Sequence, residues 1–209
     1  MVRTQIEQAI AKQDWIDRAA DPIQGAIEPV LDRAPRLASV LHGDWLGHPL
    51  HAAMTDIPVG VWFAGFVMDM AEVGGTRKFR RSADVLHAVG LASAMGAAVA
   101  GLADWSRTRD EAKRMGFIHA ATNVVISGLY GASLYARARR RRRLGIGLSS
   151  AGYGLLLFSA WLGGELAYQL GVGVRHKAFD RKARELAEGA EPREQAVAGQ
   201  ERLIEPVGL

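Results

Sequence analysis

The sequence predicts an all-α protein: a four-helix transmembrane bundle with an N-terminal amphipathic helix and a charged C-terminal tail. Three observations predict it. First, charge is segregated: residues 52–71, 85–103, 115–136 and 144–174 contain no charged side chains except Asp56, Asp69 and Glu165, in a chain of 209 residues with 26 Lys and Arg and 22 Asp and Glu. Second, each window reaches the roughly 20 residues that a helix needs to cross about 30 Å of hydrocarbon. Third, none of the windows alternates apolar and polar residues, as a membrane β-barrel strand must.

The elements follow in order. Residues 1–47 form a peripheral segment with no positively charged start leading into an apolar run and a cleavage site, so no secretory signal is expected there. Within it, Ile6, Ala9, Ile10 and Ile16 recur at helical spacing, the pattern of an amphipathic helix on a membrane, bundle or partner-protein surface. Pro22, Pro29 and Pro35 are expected to break the following stretch into short pieces. Residues 48–175 carry the bundle, with spans at about 52–71, 85–103, 115–136 and 148–170. The second span, VLHAVGLASAMGAAVAGLA, is apolar or small all the way round, and Ala92, Gly96 and Ala100 offer a stripe along which helices could approach closely. Residues 176–209 are charged and poor in aromatics, and no chemistry is assigned to them.

Basic residues suggest an orientation. The run from Arg137 to Arg143 contains six arginines in seven residues, and the loop between the first two spans holds Arg77, Lys78, Arg80 and Arg81. Beside two spans, such a run reads as an anchor to anionic lipid rather than a nucleic-acid site. Loops 72–84 and 137–143 are therefore expected on the cytoplasmic side of the membrane, in a multi-pass protein with both termini opposite.

The absence of cysteine excludes disulfides, thiolate zinc sites, iron–sulfur ligation and covalent c-type haem within this chain. Ionisable residues inside spans are costly and so mark candidate sites. The first span opens with GHPLHAAMTD, where His48 and His51 lie one turn apart and Asp56 further along. The second ends at Asp104, the third begins with His119 and Asn123 on one face, and the fourth returns with Glu165. Antiparallel threading gathers His48, His51, Asp56, Asp104, His119, Asn123 and Glu165 in one half of the bundle. Asp69 and His87 fall toward the arginine-rich end and are secondary.

The strings LGHPLHAAMTDIPVGVW, GLADW, HAATN and WLGGELAYQLGVGV resemble the bacterial membrane family called domain of unknown function 2231, over about residues 45–175. The resemblance implies a four-span module whose recurring polar positions match His48, His51, Asp56, Asp104, His119 and Asn123, together with Gly163 and Gly164. It also implies an association with Rieske-type iron–sulfur domains, hence electron transfer; without cysteine here, such a centre would belong to another polypeptide. A proline commonly follows the second His in this family, and Ala52 stands there instead.

Three readings remain open. The first is a non-catalytic membrane subunit or scaffold, possessing an intramembrane His and Asp cluster. In the second, a b-type haem is bound axially by His51 and His119, with Asn123 and Asp104 nearby. The third is a divalent transition-metal site drawn from His48, His51, Asp56, His119 and Glu165. No nucleophilic triad, HExxH motif or phosphate-binding glycine loop supports enzyme activity. The lipid bilayer, a redox or Rieske-type protein and a second copy of the chain are the expected partners.

Overall fold

The computed structural model describes residues 5–174; the charged tail expected at 176–209 lies outside the described residues. Three helices precede the spans: α1 (Gln5–Ala11), α2 (Asp14–Arg33) and α3 (Pro35–His42). Then come α4 (Leu50–Val73), α5 (Arg80–Ser106), α6 (Asp110–Ala138) and α7 (Arg142–Gly164), the last continued by a π-helical turn at Glu165–Gln169. All four long helices are apolar enough to cross a membrane, α5 together with the 3-10 turn Arg77–Phe79 that precedes it and α7 together with its π-helical turn. Among the described residues there is no strand.

The helices outrun the uncharged windows because their ends carry the charges. Arg80, Arg81 and Asp84 belong to the first turns of α5, and Asp110 through Arg114 to those of α6. Neighbouring helices are antiparallel, and α4 packs most extensively on α5, and α6 on α7. Contact between these two hairpins is sparser. What joins them at mid-depth is aromatic: Trp62 of α4 stacks on Tyr130 of α6, ring centres 4.0 Å apart and planes nearly parallel, with Ile126 and Leu156 completing a buried cluster. Large apolar side chains such as Phe63, Val67, Met95, Val99, Val124 and Leu157 point outward. That is the surface a bilayer solvates and water does not.

Small residues do line the helix contact, on a face that includes Ala100 of the expected stripe but not Ala92. Ala92 is exposed, whereas Ala83, His87, Gly90, Ala97 and Ala100 are buried. Spacings of four and three residues keep that set on one face, whereas strict four-residue spacing drifts off it.

The prolines also act differently from expectation. Only Pro35 starts a new helix; α2 runs through Pro22 and Pro29. Both prolines are exposed and seven residues apart, so their missing N–H groups fall on one outer edge. The opposite edge, with Ile16, Ala20, Gln24 and Leu31 buried, holds the helix straight enough to continue.

Candidate functional site: two intramembrane polar centres

At the end of the bundle nearest α1–α3, His51 of α4 and His119 of α6 face one another across the two hairpins. Their ring centres are 6.3 Å apart and their planes perpendicular. His51 Nδ1 donates to the carbonyl of Ala97 in α5 at 2.8 Å, and His119 Nδ1 to that of Ser159 in α7 at 3.0 Å. A carbonyl can only accept, so Nδ1 carries a proton on both rings. Asn123, one turn beyond His119, donates from Nδ2 to His119 Nε2 at 3.1 Å and to the His119 carbonyl at 2.9 Å.

Glycines make room for the rings. A Cβ on Gly101 would lie 2.8 Å from the His51 ring, and one on Gly163 would lie 3.3 Å from the His119 ring. Gly163, implied by the family pattern, thus has a steric reason here, whereas Gly164 meets nothing within 4 Å.

The other residues expected in this cluster are placed elsewhere. Asp104 accepts from His42 Nδ1 of α3 at 2.8 Å, tying the N-terminal segment to the end of α5. His48 and Asp56 are exposed. Glu165 opens the π-helical turn, where its carboxyl lies near that of buried Glu7 in α1. Of the five residues expected as metal donors, the structure therefore brings together His51 and His119. Among the described residues, no three His, Cys, Asp or Glu side chains converge as a metal ion would require.

The second centre was the less expected one. Asp69 and His87, secondary in the sequence pattern, are completely buried. His87 Nε2 donates to Asp69 Oδ2 at 2.9 Å, and Arg137 reaches the same carboxylate through both terminal nitrogens, Nη1 to Oδ1 at 2.9 Å and Nη2 to Oδ2 at 2.5 Å. Ser149 of α7 donates to Asp69 Oδ2 and accepts from Arg137 Nη2, both at 2.9 Å. Asp84 of α5 accepts from Arg137 Nη1 at 2.9 Å and from Arg142 Nη1 at 2.9 Å, and Glu72 of α4 accepts from Arg142 and Arg80. All four long helices meet in this network.

The lipid-anchor reading therefore does not hold for Arg137 and Arg142. Arg137 lies inside the bundle and Arg142 is committed to Glu72 and Asp84. The reason is register: Ile126, Tyr130, Ser133 and Arg137 follow one another at spacings of four, three and four, so Arg137 continues the buried face of α6. Arg139, Arg140, Arg141 and Arg143 remain exposed.

Compared with known families, the chain matches the model described as predicted membrane protein, domain of unknown function 2231, over residues 47–176, and belongs to that family. No curated protein and no solved structure matches it. The matched range covers α4–α7 and both polar centres, and excludes α1–α3.

Proposed function

We propose that this member of the domain of unknown function 2231 family is a non-catalytic membrane subunit or scaffold, its ionisable intramembrane residues fastening the helices together. One observation carries the reading. The buried acid and base groups of the Asp69 centre are spent on one another, with Asp69, Asp84, Arg137 and Ser149 contributed by four different helices. Burying such groups is repaid only when their hydrogen bonds are made, and here Asp69, Arg137 and Ser149 make theirs to one another, while His87 Nδ1 on the rim of the network is buried without a partner. Small residues along α5 fit the same reading.

A second reading has an observation of its own, confined to His51 and His119. An imidazole nitrogen binds a transition metal at about 2 Å, so two rings that would hold one group between them must lie close together. The pair is separated by 6.3 Å, lies between the two sparsely packed hairpins, and has both Nδ1 atoms tied to backbone carbonyls. That carbonyl bond fixes the tautomer and orientation a ligating His needs. Asn123 occupies the Nε2 lone pair of His119, and would have to release it. A b-type haem held there would supply one-electron chemistry; the chain's own contribution is the two oriented imidazoles.

The test is the absorption spectrum of detergent-solubilised protein produced with haem precursor supplied, as purified and after dithionite. A colourless, monodisperse protein supports the scaffold. A Soret band that shifts on reduction and is lost in both His51→Ala and His119→Ala overturns it in favour of the haem subunit.

A further inference from the structure

Helix α2 has three distinct edges, and their order around the helix says where the bilayer is. The central edge, Ile16, Ala20, Gln24 and Leu31, is buried on the bundle, with Gln24 Nε2 donating to the carbonyls of Trp105 and Thr108 at 2.9 and 3.2 Å. One flank is acidic: Asp14, Asp17, Asp21, Glu28 and Asp32 pair with Arg114, Lys113, Arg109 and Arg107 at the α5–α6 connection. The opposite flank is apolar and uncovered, with Trp15, Ile23 and Val30 at 49%, 41% and 53% exposure.

Contacts with α6 orient these flanks relative to the membrane. Lys113 and Arg114, in the first turn and a half of α6, hold the acidic flank. Phe117, one turn further into the span, meets Trp15 of the apolar flank edge to face, ring centres 6.5 Å apart. Val124, two turns deeper on the same face of α6, is 72% exposed. The apolar flank of α2 is therefore continuous with the outward face of a span, on the side away from the paired charges.

We propose that α2 lies half-immersed in the lipid interface, its Trp15–Ile23–Val30 flank resting on the acyl chains of the bilayer that its own spans cross. The partner is a lipid surface. A helix of this kind buries its apolar face about 5–10 Å into the headgroup boundary, and a tryptophan at that level suits the interface. Held to α5 and α6 by Gln24 and the ion pairs, α2 then sets the depth at which the His51–His119 end of the bundle sits.

The chain has no cysteine, so single labels are straightforward. Full-length Ile23→Cys, Val30→Cys, Gly25→Cys and Asp32→Cys, all at exposed positions, are labelled with an environment-sensitive fluorophore and reconstituted in phosphatidylcholine–phosphatidylglycerol vesicles. Brominated lipid is expected to quench labels at 23 and 30 about twofold or more over those at 25 and 32, with iodide showing the reverse order. Equal quenching at all four sites, or labels at 23 and 30 more open to iodide, overturns the proposal. So does shielding of 23 and 30 from both quenchers, which would mean that protein covers the flank.

Discussion

Asp69 and Arg137, 68 positions apart in the chain, meet inside the bundle as a two-pronged ion pair at 2.9 and 2.5 Å. No other nitrogen of the guanidinium is idle: Nε donates to Ser133 Oγ at 3.1 Å, and Nη1 and Nη2 also reach Asp84 and Ser149. Removing one partner strands the other charge in a low-dielectric site, at a cost of about 3–5 kcal/mol, whereas exchanging both for apolar residues is far milder. Arg137→Leu and Asp69→Leu are thus each expected to lower the thermal midpoint in detergent sharply, and Asp69→Leu/Arg137→Met to recover most of the loss. Arg137→Lys should fall between, because an ammonium cannot make the paired contact. An Arg137→Leu protein as stable as its parent would remove the basis for the lock.

Gly90 probes the aromatic seam between the hairpins. A Cβ there would lie 2.2 Å from Trp62 Nε1, and Trp62 is backed by its stack on Tyr130. Gly90→Ala is expected to cost about 1–3 kcal/mol through forced displacement. Gly154, exposed on α7 with nothing within 4 Å, is the comparison: Gly154→Ala should be neutral or stabilising by up to about 1 kcal/mol. Equal melting of the two variants would mean that the seam is soft.

Charge depletion made the spans legible, because exclusion from lipid is a property of windows and needs no tertiary information. Counting depth along antiparallel rods sufficed to bring His51 and His119 together. Arg137 was harder, since six arginines within seven residues are indistinguishable until helix register separates them. Its signal was present: an Asp in a span requires a cation, and Arg137 continues the face of Tyr130 and Ser133. The ion pairs of α2 were hidden for a different reason. Asp17 and Arg114 are 97 positions apart, and spacing within α2 shows an acidic flank without showing what faces it.

The same ion pairs predict a pH response in the docking of α2. Hydrogen bonding from Arg114, reinforced by Lys113 and opposed by partial burial, holds the Asp17 carboxyl below its ordinary value of 3.8. A carboxylate lowered on folding contributes stability that is fully present above the unfolded value and is lost as pH falls through the folded one. Proteolysis within residues 14–33 should accordingly stay slow at neutral pH and accelerate on acidification below about pH 4. Arg114→Ala should make the segment labile already at neutral pH and flatten the profile. An unchanged cleavage rate in that variant would show that the buried edge alone holds α2.

His51 and His119 face each other, yet each is hydrogen-bonded within its own hairpin, to Ala97 and to Ser159. If they only fasten α4 to α5 and α6 to α7, their removal acts on separate contacts. Losses in His51→Ala and His119→Ala should then add in the double variant to within about 0.5 kcal/mol. If one group bridges both rings, either single substitution releases it, and the double variant is scarcely worse than the first. Thermal midpoints of the four proteins, measured with and without added haemin, decide between these outcomes. Additive losses indifferent to haemin sustain the scaffold. Strong non-additivity that appears with haemin, together with stabilisation of the parent alone, identifies the two imidazoles as a single binding site.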